Sequence, residues 1–181
     1  GQMRAPHQRL ADLRAQQAAN RIGEIRLGEL AARHGTALLR QGMAEILAYS
    51  ERRTRAALAS LPDGTYGAAD VLEDDWAGGE SDVTLRLEAT ITGDRLRLDF
   101  SGTDPEFPGN LNCPLSVTKS APFFAVRVLT DPQAPPSAGA HRPIEVLAPA
   151  GCLLNARFPA AVASYVARVF ARSGVDPSLI V

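Results

Sequence analysis

The stretch from Val83 to Phe100 constrains this chain most. Val83, Leu85, Leu87 and Ala89 alternate with Thr84, Arg86, Glu88 and Thr90, the two-residue period of a strand with one buried face. Leu96, Leu98 and Phe100 alternate with Arg97 and Asp99 on the far side of Ile91-Thr92-Gly93-Asp94-Arg95. Gly93-Asp94 suits a two-residue hairpin turn, because glycine takes positive φ without a Cβ clash. An antiparallel hairpin is therefore expected here, and the rest of the chain must supply the cover for its apolar face.

Residues 7–61 read as helical. Leu10, Leu13, Ala18, Ile22, Ile25 and Leu30 recur at helical spacings, and Leu38, Leu39, Met43, Ile46, Leu47 and Tyr49 form a second broad face. Between them Gly35 suits a left-handed helix end and Thr36 a new cap. Asp12 is placed in the first turn or at the cap, where its charge suits the helix N-terminus. Leu61-Pro62-Asp63-Gly64 stops the run. Thr65–Leu72 reads as a strand and Glu73–Asp82 as an acidic loop around Trp76. Ser101–Leu115 reads as a long, specific polar loop. Ser116–Leu129 reads as a helix in which Pro122 is tolerable near the first turn. Residues 131–140 read as extended, Ile144–Leu147 as a strand, Pro149-Ala150-Gly151 as a turn, and Ala160–Ala171 as helical. No domain boundary stands out. The expected class is α+β: a single partial domain over 1–181, helical over 1–61, β-rich with a polar loop over 62–115, and mixed over 116–181.

Composition narrows the function classes. The 181 residues are 45% hydrophobic and 22% charged, in the range of globular chains. No apolar run nears the roughly 20 residues that span a bilayer, so no membrane partner is expected. Net charge is −1, unevenly spread. Residues 1–60 carry ten Arg against five acids, and residues 61–106 carry three Arg against twelve. Aromatic residues do not interleave the arginines, so nucleic acid is not expected as a partner. Cys113 and Cys152 form no CxxC or Cys/His cluster, which gives no zinc signature; they are expected to be reduced. His7, His34 and His141 lie far apart in sequence. The chain opens Gly1-Gln2-Met3, as a processed, tagged or excised piece would.

One stretch carries chemistry-bearing groups at high density. Asp99-Phe100-Ser101-Gly102-Thr103 puts a carboxylate, two hydroxyls and a glycine at the end of a strand, and Gly109-Asn110-Leu111-Asn112 follows. Asn side chains both donate and accept. The same residues also suit Asx and Ser/Thr turns that brace a loop. Residue types alone leave both readings open.

These motifs, with Thr118 and Ser120-Ala121, resemble the hydantoinase B / 5-oxoprolinase family. So do Arg4-Ala5-Pro6, Asp12-Leu13-Arg14-Ala15-Gln16, Ala18-Ala19, Tyr49-Ser50-Glu51-Arg52, Leu61-Pro62-Asp63-Gly64 and Tyr66. Arg142-Pro143-Ile144, Pro149-Ala150-Gly151, Asn155 and Pro159-Ala160-Ala161-Val162 follow in the family's order. The match runs from about residue 3 to residue 165. It departs at Ser137-Ala138-Gly139, where the family usually has Asn-Gly, and at the apolar end from Val175 to Val181.

The resemblance implies an internal piece of a larger cytoplasmic subunit that works with a hydantoinase A-type, ATP-using partner. It implies ATP-dependent opening of a cyclic amide such as 5-oxoproline or a hydantoin, with ketone carboxylation of the acetone carboxylase type as the alternative. A non-catalytic scaffold or subunit-contact segment is the competing class. Nothing in the chain resembles the family's metal motifs, Asn-Asp-Pro with Gly-Gly-x-His or His-x-Asp-x-Gly-Gly. The expectation is therefore no metal or cofactor within this chain, with ATP, Mg and a divalent metal held elsewhere in the parent complex. Under the resemblance Asp99, Ser101 and Thr103 are candidate catalytic residues. Gly102, Asn110, Asn112 and Arg142 are candidates for substrate binding, with Gly102 or Ser101 amides facing an oxyanion and Arg142 pairing with a carboxylate. Asp12 and Gln16 share a helix face and would contact substrate or support the metal site. Such a piece would also expose apolar surface and tend to associate.

Overall fold

The computed structural model describes residues 6–72, 82–107 and 111–157. The expected helix at Ala160–Ala171, the loop around Trp76 and the pair Gly109-Asn110 lie outside them. The chain divides into two compact units, residues 1–46 and 47–181, where the sequence showed no boundary. The division is hidden because one helix runs across it.

In the first unit α1 spans Pro6–His34. Asp12 lies past its first turn, not in that turn or at the cap as expected. Gly35 ends it at φ 81°, and its amide donates to the Ala31 carbonyl at 2.8 Å. The Gly35 carbonyl then accepts from Leu39 at 3.1 Å, so Gly35 both closes α1 and opens α2, which spans Thr36–Ala59. Thr36 is the first residue of α2 rather than its cap. The large side chains Leu10, Leu13, Ile22, Ile25, Leu38 and Met43 are exposed.

The second unit is built on a four-stranded sheet in the order β1-β2-β3-β4. β1 is Gly64–Leu72, β2 Val83–Thr92, β3 Arg95–Asp99 and β4 Ile144–Leu147. The hairpin β2–β3 forms as expected, with Ala89 opposite Leu98 and Ile91 opposite Leu96. Gly93 takes φ 57° at its turn. β1 pairs antiparallel with β2, and β4 pairs parallel with β3. A parallel neighbour needs a crossover, which α3, Leu115–Thr130, provides. A short 3-10 helix at Ala138–His141 interrupts the segment expected to be extended.

The alternation of the hairpin decides where the core sits. Leu96 and Leu98 face Leu58 of α2, Val126 of α3 and Ile144 of β4, with Phe123, Leu87, Ala89 and Val146 packed around them. A second cluster, Val83, Leu85, Leu111 and Leu153, joins the start of β2 to the polar loop. Arg53 on α2 donates to the Asp131 carboxylate at 2.7 Å, which ties α2 to the end of α3. Cys113 and Cys152 are both buried and free.

Candidate functional site

The sheet's outer face carries the polar half of the alternation. Strand register sets Gly67 beside Glu88, Ala69 beside Arg86, and Glu88 beside Asp99. The small residues of β1 leave a groove of about 540 Å³, lined by Gly67, Arg86, Glu88, Asp99, Ser101 and Gly102 among others. Three of the sequence candidates, Asp99, Ser101 and Gly102, therefore share one groove.

Asp99 ends β3 and begins a tight turn. Its Oδ1 accepts the Ser101 amide at 2.8 Å, and its Oδ2 accepts from Arg97 at 2.9 Å. The Ser101 hydroxyl first, then the Ser101 amide and Arg97, hold the carboxyl below the usual Asp range. Hydrogen bonds to the charged form favour ionisation, so Asp99 is a carboxylate at neutral pH and serves as an acceptor or an electrostatic group. Gly102 leaves room for the Arg86 stem: a Cβ there would lie 3.2 Å from the Arg86 Cβ and Cδ.

Thr103 is buried directly below. Its Oγ1 accepts from the Arg86 amide at 3.1 Å and donates to the Arg86 carbonyl at 3.1 Å. Asp104 continues the pattern: its carboxylate accepts from the Thr84 amide at 2.7 Å and its amide donates to the Thr84 carbonyl at 3.0 Å. Side chains thus replace a strand along the start of β2. Asn112 does the same within the loop. It is fully buried, accepts from the Phe107 amide at 2.8 Å and donates to the Phe107 carbonyl at 2.7 Å. Cys113 and Asp104 bond the Leu153 backbone, and the Thr118 hydroxyl donates to the Leu154 carbonyl at 2.6 Å. The polar loop is stitched to residues 151–156 on both sides.

The remaining candidates lie elsewhere. Arg142 stands before β4 and donates to Glu51 at 2.9 Å. Arg55 bridges Glu51 to Asp94, and Arg142, then Arg55, pull the Glu51 carboxyl below its ordinary range. Asp12 and Gln16 lie on α1 in the other compact unit, both exposed, with Asp12 3.7 Å from Arg9. Asn110 falls outside the described residues. Sequence reasoning missed Arg86 and Glu88 as groove residues. The hairpin alternation carried that signal, since it put them on the same polar face as Asp99. Among the described residues no group of three or more His, Cys, Asp or Glu side chains is placed to hold a metal ion. No described helix is long and apolar enough to cross a membrane.

Comparison with known proteins decides the family. The model of the hydantoinase B/oxoprolinase family matches residues 1–173. The chain belongs to this family. It is 33% identical over 168 residues to a protein of Pseudomonas sp. strain NS671 assigned as the B-type component of a D-/L-hydantoinase, a match covering 87% of this chain and 28% of that protein. The crystal structure of the ATP-dependent caprolactamase from Pseudomonas jessenii superposes with TM-score 0.74 at 32% identity, over 91% of this chain and 28% of that one. Nucleotide-free acetone carboxylase superposes with TM-score 0.67 at 20% identity, over 77% of this chain and 20% of that one; that likeness is one of fold. The hydantoinase B family member thus spans a little over a quarter of the length of the first two relatives, and its α+β architecture is that of the caprolactamase over the matched span.

Proposed function

We propose that this hydantoinase B family chain serves ATP-dependent opening of a cyclic amide, of the 5-oxoproline or hydantoin kind. It would act in the cytoplasm, within a larger subunit that works beside a hydantoinase A-type, ATP-using partner. The observation that carries this reading is the match to the ATP-dependent caprolactamase over nine-tenths of the chain at 32% identity. ATP, Mg and a divalent metal belong, in this reading, to parts of the complex beyond these residues.

Within the chain the reading gives each residue a task. Asp99 offers a fixed negative charge at the groove, and the Ser101 hydroxyl and the Gly102 amide border the same space. An amide aimed at a developing oxyanion contributes most where water is excluded. Thr103 and Asn112 act through the loop they hold. Asn110 would bind a substrate amide or carboxylate, and Arg142 a carboxylate, its fork already oriented by Glu51. Asp12 and Gln16 would contact substrate or support the metal site from α1.

A second reading has its own support. The side chains of Thr103 and Asn112 are engaged in internal hydrogen bonds, as a scaffold needs. The test uses the intact parent protein with its ATP-using partner. ATP hydrolysis is assayed against 5-oxoproline, hydantoin, N-methylhydantoin, and acetone with bicarbonate. Turnover coupled to consumption of a cyclic amide is expected. Coupling to acetone alone would replace ring opening with carboxylation, and no coupling from a folded, metal-loaded complex would favour the scaffold. Asp99→Asn should lower kcat about tenfold or more, the scale of one lost electrostatic contact in a transition state, while the melting temperature moves little. Equal loss of stability and activity would place Asp99 in the scaffold.

A further inference from the structure

A second concavity, of about 810 Å³, runs along β4 and takes in Thr90 and Thr92 of β2. Three elements or their flanks bring cations to it: Arg95 and Arg97 from β3, Lys119 from α3, and Arg142 from the segment before β4. Glu145 is the one carboxylate among its described lining residues. Arg97 is engaged by Asp99 and Arg142 by Glu51. Among the described residues neither Arg95 nor Lys119 has an ion-pair partner. Lys119 is the single lysine of the chain.

The backbone adds donors. Among the described residues β4 is the last strand of the sheet. The Pro143 carbonyl accepts from Leu96 and the Leu147 carbonyl from Phe100. Along a strand the backbone groups alternate sides, so those of residues 143, 145 and 147 turn toward β3. The amides of Ile144 and Val146 then turn to the open side, and both residues line the concavity. Backbone N–H groups beside cations in a concave site favour anions.

We propose that this concavity binds a phosphate-class anion, held by Arg95 and Lys119 and by the edge amides of Ile144 and Val146. A monocarboxylate presents two oxygens and one charge. A tetrahedral phosphate presents three or four oxygens and close to two charges, which suits a lining that offers more than one cation together with backbone amides. The site adjoins the groove beside Asp99 through the Arg97–Asp99 pair, and it rests on its own lining rather than on the ring-opening reading.

The test titrates the full chain with inorganic phosphate at low ionic strength by calorimetry, with acetate as the monoanion control. Saturable phosphate binding that weakens with added NaCl is expected, with acetate at least tenfold weaker. Arg95→Gln combined with Lys119→Gln should weaken phosphate binding at least about tenfold, the scale of two charge-assisted hydrogen bonds at a partly exposed site. Arg14→Gln combined with Arg21→Gln on α1 removes the same net charge and should leave binding unchanged. Wild-type binding by the Arg95/Lys119 variant, equal loss in the α1 control, or acetate binding as tightly as phosphate would each overturn the proposal. Glycerol phosphate and ADP identify the source. Tighter binding than inorganic phosphate points to a phosphorylated small molecule or nucleotide, and equal binding to free phosphate; both outcomes support the site.

Discussion

At the scale of single residues, the polar loop uses side chains as if they were backbone. The Asn112 amide offers one acceptor and one donor in the geometry of a peptide group, and Phe107 uses both. Asn112→Ala would leave the Phe107 amide and carbonyl without those partners beside a fully buried position. Unpaired buried groups are expensive, so a loss of roughly 2–4 kcal/mol is expected in urea unfolding; a loss below about 0.5 kcal/mol would show the loop to be held by its other contacts. Here the sequence was ambiguous for a physical reason. A residue that grips a ligand and one that grips its own loop need the same donors and acceptors, and Asp99, Thr103 and Asn112 satisfy either description until their partners are seen. His141 carries a second prediction. Its ring stacks on Phe123 with centroids 3.9 Å apart, and burial pushes its pKa below the ordinary value. A histidine whose folded pKa is depressed favours the neutral form in the native state. Its contribution is fully present above the unfolded pKa, about 6.5, and is lost as pH falls from there through the lower folded value. Stability measured between pH 7.5 and 5 should therefore fall on acidification, and His141→Phe should flatten that part of the profile. An unchanged profile in the variant would assign the acid loss to other groups.

At the scale of elements, what was legible was what depends on local periodicity. The hairpin followed from strict alternation and Gly93, and the two N-terminal helices from helical spacing and Gly35. The parallel pairing of β4 was not legible, because four residues carry no sign of their neighbour's direction. Pro122 is tolerable only near a helix's first turn, yet it is the eighth residue of α3. It cannot donate to the Thr118 carbonyl, yet Phe123 and Val126 pack on the core around it. Burial of that face outweighs the missing bond. The contact between α2 and the 3-10 helix was equally hidden. A Cβ on Gly139 would lie 2.6 Å from the Leu47 carbonyl carbon and closer still to its oxygen, so the two backbones touch where no side chain fits. Gly139→Ala must push the 3-10 helix off α2 and should destabilise by about 3 kcal/mol, the upper range for overpacking. Gly93→Ala has open space and only its φ of 57° to oppose it; about 1 kcal/mol is expected there. Thermal unfolding of both variants checks the order, and Gly139→Ala unfolding later than Gly93→Ala would contradict the close approach.

At the scale of the whole molecule, the two compact units differ in what their helices bury. In α2, Ser50, Thr54 and Leu58 are buried, all beyond residue 46. In α1 no described side chain is buried, and Leu10, Leu13, Ile22, Ile25, Leu27 and Leu30 are all at least 42% exposed. This helix is 29 residues long, and helices draw most of their stability in proteins from packing of an apolar face. Ala11, Ala15, Ala18, Ile22 and Ile25 recur at alternating spacings of four and three, which sets small and branched side chains along one seam. The hydantoinase and caprolactamase relatives are more than three times longer than the matched span, so proteins of this family have ample chain to cover that seam. The chain by itself should associate. Sedimentation velocity from about 1 to 100 μM should show mass rising with concentration, since contiguous exposed apolar surface drives association. Ile22→Gln with Ile25→Gln removes the two largest side chains of the seam while keeping good helix formers, and should shift the distribution toward monomer. A wild-type chain that stays monomeric across the range would mean that α1 is stable without a partner for its apolar stripe. If instead both chains associate equally, the contact lies elsewhere, and β1, the other edge strand among the described residues, with Tyr66 and Val71 exposed, is the next place to substitute.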